Sequence, residues 1–224
     1  MIKNIAKIQK KGEAMATIAF DLDDVIYPFA SNILKFYNLI HRTKFTLKDY
    51  TDYHLEKVLG CSLEEALALV VRYTQSDFAR NLPPIHSVFD VLTRFKERHH
   101  KLIVITARWT PDRREWAEDW NEKFLPGIFA PEDLHFIVDH EIDGRRICKS
   151  ELCKELKVDC LVDDRYLYVE RTAQIGINAI LFQPDDYLWN TVPRWIHPRI
   201  YITKNWSEIE RTINQLFPIY HRPK

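Results

Sequence analysis

Short apolar runs that stop at a polar residue alternate along this chain with longer stretches in which apolar positions return every three or four residues. The first run, Ala16-Thr17-Ile18-Ala19-Phe20, breaks at Asp21, Asp23 and Asp24, and the second, Lys101 to Thr106, breaks at Thr106. Runs apolar on consecutive positions suit strands covered on both faces. Further strands are predicted at 134–138, 159–162, 178–182 and 200–203. Helices are predicted at 30–41, with Ile33, Leu34, Tyr37 and Ile40 in step; at 46–59, stopped by Gly60; and after Ser62-Leu-Glu-Glu65, which has the form of a capping box. Others follow at 85–99, with Val88, Phe89, Leu92 and Phe95 on one face, from Pro111 with Trp116 and Trp120 four apart, at 150–156, and after Ser207-Glu-Ile-Glu210.

Strands alternating with helices predict an α/β fold, a Rossmann-like three-layer sandwich with a mainly parallel central sheet. The second strand arrives some eighty residues after the first, far beyond the dozen or so a crossover needs. A small helical cap is therefore expected at 30–83, inserted after the first strand into a core of 16–29 and 84–224, with 1–15 as an N-terminal extension.

Composition narrows the class. A chain of 224 residues can bury a sizeable core. Thirty-two basic and thirty-two acidic residues cancel, leaving no global footprint for nucleic acid or a membrane surface. No apolar run approaches the roughly 18 residues of a spanning helix, so a soluble protein with no membrane partner is expected. Residues 1–15 set Ile2, Ile5 and Ile8 among lysines, a basic amphipathic leader without a signal peptide's apolar core. Cys61, Cys148, Cys153 and Cys160 form no C-x-x-C pair, which favours reduced thiols in a cytoplasmic compartment over a zinc site built on Cys148 and Cys153.

The acidic strand end carries the candidate chemistry. Ligands in parallel α/β folds sit at the carboxyl ends of strands. Asp21, Asp23 and Asp24 would crowd such a crevice, and like charges so close call for a compensating cation, so a divalent metal site competes with a solvated acidic turn or helix cap.

Three further stretches present polar residues in comparable contexts: Thr106 in LIVITAR, Lys149 in ICKSELCKEL, and Asp163 with Asp164 in LVDD. With D21-L-D-D-V25 these resemble, in order, the four motifs of the haloacid dehalogenase superfamily of phosphatases, over about residues 16–182. The resemblance implies Asp21 as nucleophile forming an aspartyl-phosphate and Asp23 as general acid and base, an acid that dehalogenases and ion-pumping ATPases of the superfamily lack. It implies Thr106 on a phosphoryl oxygen and Lys149, in preference to Lys154, offsetting the carboxylates. Mg2+ would be held by Asp21, the Asp23 carbonyl and Asp163, with Asp164 direct or through water. Asp24 would be a turn residue or outer acid.

Within the superfamily the chain is most similar to the 5'-nucleotidase type C group of deoxyribonucleotidases, through the small cap, Arg165 after the acid pair, and Phe29 eight residues after the nucleophile. There an aromatic stacks on the base; an ordinary core or hinge aromatic is the alternative. The resemblance implies a phosphorylated small-molecule substrate, in its narrowest form a nucleotide, met by Phe29, Ala107 and Arg108; a sugar phosphate, a nucleic-acid end, or a silent binding module are the other readings, and homo-oligomerisation is left open. Ala107-Arg108-Trp109 departs from the Ser and Pro that the nucleotidases carry after the motif threonine. Arg108 meets a substrate anion or pairs with a surface acid; Trp109, Trp116 and Trp120 read as core and helix-face residues.

Overall fold

The computed structural model describes residues 15–108, 111–137 and 148–218. Trp109, Val138 and nearly all of the N-terminal extension lie outside them. Among the described residues six parallel strands form one sheet: β1 (Thr17–Phe20), β2 (Lys101–Thr106), β3 (Leu134–Phe136), β4 (Cys160–Asp163), β5 (Asn178–Phe182) and β6 (Ile200–Thr203), in the order β3-β2-β1-β4-β5-β6. The first strand is thus central, with Ala19 opposite both Ile103 and Leu161.

Successive residues of β1 point to opposite faces, and both faces are covered. Phe20 stacks on Phe95 of α5 (Val88–Glu97) and on Trp206 of α9 (Trp206–Leu216), with centroids 6.4 and 5.6 Å apart. Ala19 faces the other way, into a cluster with Ile103, Leu161 and Cys153 of α7 (Lys149–Glu155). Truncating a buried phenylalanine such as Phe20 costs about 3–5 kcal/mol. On the Phe20 side Trp116 and Trp120 of α6 (Pro111–Phe124) are buried, and on the other α8 (Tyr166–Gln174) seals β5. The result is the three-layer sandwich that the alternation predicted.

Between β1 and β2 lie α1 (Phe29–His41), α2 (Leu55–Leu59), α3 (Leu63–Thr74), α4 (Asp77–Arg80) and α5. α3 packs on α1, α2 and α4, whereas α5 belongs to the sheet, against β2 and α9. The capping box forms: Ser62 N–H donates to Glu65 Oε2 at 2.8 Å and Glu65 N–H to Ser62 Oγ at 3.2 Å. Gly60 ends α2 with φ 66°.

Several local expectations are corrected. The helix at 46–59 is broken: Thr46 and Asp49 cap only a 3-10 turn at Leu47–Asp49, and Asp52 then takes the His54 N–H just before a short α2. Phe89 is exposed, and Val91 takes its place on the buried face of α5. The last helix is capped by Asn205, whose side chain accepts from Glu208 N–H, two residues before Ser207. Asp163 ends its strand instead of following it, and Lys149 opens α7 instead of preceding it.

Candidate active site

The β1–β4 ladder runs one residue past the strand, with Asp21 N–H donating to Val162 O at 2.8 Å, which fixes Asp21 beside Asp163. The chain then turns tightly. Asp24 has φ 57° and Tyr27 N–H returns to Leu22 O at 2.8 Å, while α9 pins the turn through Trp206 Nε1 donating to Val25 O at 2.9 Å. Asp24 is the helix cap among the three acids: its two oxygens accept from Ala30 N–H at 2.9 and 3.1 Å, at the start of α1.

Lys149, 1% exposed, lies between two carboxylates and donates to Asp21 Oδ1 and Asp163 Oδ2, both at 2.6 Å. Burial opposes its charge, but Asp163 and Asp21 hold it protonated well above the usual lysine range. Burial drives Asp21 upward, Lys149 pulls it down, and Asp163 and Asp23 push it up again, leaving its pKa at about 7. Asp164 is raised well above the carboxylate range by burial, then by Asp163, Asp21 and Asp24. Lys154, the alternative lysine, is exposed on α7.

Asp21, Asp163 and Asp164 each bring an oxygen within 4.8 Å of the others. Three buried acids face one ammonium, and all the clustered donors are hard oxygens. That donor set suits magnesium. Cys153 is buried, its thiol pushed up to about 12, and neither it nor Cys148 joins such a cluster among the described residues.

A cavity of about 240 Å³ opens over these groups. The core supplies Asp21, Thr106, Ala107, Arg108, Lys149 and Asp164; the segment after β1 supplies Asp23, Phe29, Tyr50, Tyr53 and Leu67. Thr106 is buried at the end of β2, and its Oγ1 has no hydrogen-bond partner among the described residues. Phe29 meets Tyr73 edge-on at 5.7 Å while facing the cavity. Arg108 is not at the surface. It is buried, stacked 4.0 Å over Trp116, and paired in bidentate fashion with Asp23.

Sequence reasoning missed Trp189 and Asn190. They lie in the loop after β5, yet Trp189 Nε1 donates to Asp164 Oδ2 at 2.9 Å and Asn190 Nδ2 to Asp164 O at 2.6 Å. The available signal was an aromatic and an amide following a buried strand, where ligands of such folds gather.

No family model and no curated protein sequence matches the chain. Solved structures do. A phosphoglycolate phosphatase candidate from Lactobacillus delbrueckii subsp. bulgaricus superposes with TM-score 0.59 at 16% identity, covering 92% of this chain and 100% of that one. A magnesium-bound HAD-hydrolase candidate from Bacillus subtilis gives 0.56 at 13%, covering 90% and 100%. An L-2-haloacid dehalogenase gives 0.53 at 14%, covering 89% and 99%. The fold is therefore that of haloacid dehalogenase-like hydrolases, one that carries more than one chemistry. No helix among the described residues is long and apolar enough to cross a membrane.

Proposed function

We propose that this fold houses a magnesium-dependent phosphomonoesterase that works through an aspartyl-phosphate on Asp21. The observation that carries the reading is Lys149 bridging Asp21 and Asp163 at the floor of a cavity that Thr106 and Asp23 also line. Asp21 is the nucleophile; attack of its carboxylate on phosphorus breaks the bond to the leaving oxygen. Asp23 protonates that oxygen and then takes a proton from the water that hydrolyses the acyl phosphate. Thr106 donates to a phosphoryl oxygen, which gives its buried hydroxyl a partner. Lys149 holds Asp21 in place and offsets negative charge. Asp21, the Asp23 carbonyl, Asp163 and Asp164 hold magnesium, which supplies charge neutralisation at the transferring group. Asp23 separates this reading from a dehalogenase.

Residues 30–83 act as the cap that closes over the cavity and excludes water. The aromatic lining, Phe29, Tyr50 and Tyr53, favours a leaving group with a flat ring, and hence a nucleoside monophosphate. Four free thiols and a neutral charge balance are in keeping with a cytoplasmic enzyme acting on a small phosphorylated metabolite. The test is a panel of nucleoside monophosphates, sugar phosphates and 3'-phosphorylated oligonucleotides, each with Mg2+ and with EDTA. Mg2+-dependent release of phosphate from nucleotides is expected. Turnover of sugar phosphates alone would remove the nucleotide reading, and silence on every substrate would leave a binding module.

A further inference from the structure

We propose that Trp189 is a positioning residue for Asp164 as a cation ligand, an inference that rests on the magnesium reading above. Two neighbouring side chains from the loop after β5 grip the Asp164 segment at three points. Trp189 Nε1 takes the carboxylate, Asn190 Nδ2 takes the Asp164 carbonyl, and Asn190 Oδ1 accepts from Tyr166 N–H at 2.9 Å. Asp164 is the last of the clustered acids in sequence, and it lies outside the ladder that fixes Asp163. Without a fixed donor its carboxylate could turn away from two like-charged neighbours.

An indole N–H can only donate, so it takes one Asp164 oxygen and fixes the direction in which the other points. The indole is itself immobilised. Trp189 is buried, with Tyr187 tilted against it at 4.2 Å and Tyr50 edge-on at 5.3 Å. Tyr50 belongs to the segment inserted after β1, so the same ring that sets the ligand also meets the inserted segment. Groups that orient metal ligands in this way typically contribute a factor of about 10–100 in metal affinity.

The test is Mn2+ binding to the full chain, followed by the electron paramagnetic resonance of free Mn2+, with urea unfolding in EDTA run beside it. Trp189→Phe keeps the ring and removes the N–H; it should bind Mn2+ about 10–100-fold more weakly, and Asn190→Ala should do the same. Asp164→Asn should lose at least as much. Should Trp189→Phe not fold, Asn190→Ala carries the same expectation. Trp189→Phe binding like wild type while Asp164→Asn binds weakly would overturn the role of Trp189, whatever Asn190→Ala does, and leave the proposed function standing. Lower stability in EDTA with unchanged affinity would also overturn it, reducing Trp189 to packing. Wild-type affinity in Asp164→Asn would remove the ligand that Trp189 is said to hold. A wild-type chain that binds no Mn2+ would overturn the magnesium reading itself.

Discussion

Arg108 and Asp23 are joined edge to edge across 85 positions of sequence, Nε donating to Oδ2 at 3.0 Å and Nη2 to Oδ1 at 2.6 Å. The two ends are unequally wet: the Arg108 side chain is 4% exposed and that of Asp23 30%. Arg108 Nη1 has no hydrogen-bond partner among the described residues. Removing Asp23 therefore strands a buried cation, whereas removing Arg108 leaves a carboxylate that water can reach. Asp23→Ala is expected to cost about 3 kcal/mol in urea unfolding, and Asp23→Ala with Arg108→Met should recover part of that loss. A double variant no more stable than Asp23→Ala would show that the stranded charge is not the cause.

The same pairing bears on turnover. Both oxygens of Asp23 accept from one rigid fork, so Arg108 sets where Asp23 points, and one of the two contacts must open before Asp23 can carry the proton it delivers. Arg108→Lys keeps the charge and loses the fork. Its kcat should fall by roughly 10–100-fold on alkyl phosphates and clearly less on p-nitrophenyl phosphate, whose leaving group needs little protonation. Equal losses on the two substrates would detach Arg108 from the acid's role.

Asp21→Asn should lower phosphate release by at least about a thousandfold, since no attacking carboxylate remains. Its stability in EDTA should stay near wild type, because one of three crowded carboxylates becomes neutral. Unchanged hydrolysis would refute Asp21 as nucleophile.

Magnesium should stabilise the folded chain by mass action, by about 2.7 kcal/mol at a concentration one hundred times its dissociation constant. Thermal unfolding with and without 10-fold steps of Mg2+ reads this directly. Asp163→Asn should abolish the shift, and a shift that survives would place the ion elsewhere.

His100 is buried, edge-on to Phe95 and Phe217, and burial together with nearby Arg98 depresses its pKa from 6.5 to about 4. The unfolded chain then binds the extra proton first. The stability attached to the neutral ring is complete above pH 6.5 and drains away as the pH falls toward 4, by up to about 3 kcal/mol. His100→Phe keeps an aromatic ring there and should lose this part of the acid sensitivity, read as the difference between wild-type and variant urea midpoints across that range. Parallel midpoint curves would rule it out.

Much of this was legible along the chain. The runs ending at Phe20 and Thr106 announced strands buried on both faces, because a strand that shows water neither face has no reason to alternate. Gly60 and Ser62 marked a helix end and a helix start through local backbone chemistry, and both stand where expected. The expected helix at 46–59 is interrupted where Asp52 offers the His54 N–H a closer partner than a helical carbonyl, a local competition that its Gly60 stop does not reveal. Phe89 was misplaced because periodicity fixes the width of an apolar stripe more firmly than its edges.

What the sequence determined by itself was the set of strand-end side chains that meet over the sheet: Asp21, Thr106, Lys149, Asp163 and Asp164 are all delivered by the ends of β1, β2 and β4 or the start of α7. The sequence marks each of these strand ends and the helix start locally; that β1 lies between β2 and β4, which brings them together, is seen only in the folded sheet. What only the tertiary structure also decided was the partner each charge takes. Nothing near Asp23 in sequence points to Arg108, and nothing near Asp164 points to Trp189. Those pairings depend on which buried donors reach which carboxylates once water is gone, and low dielectric makes an unpaired group there costly enough to select them.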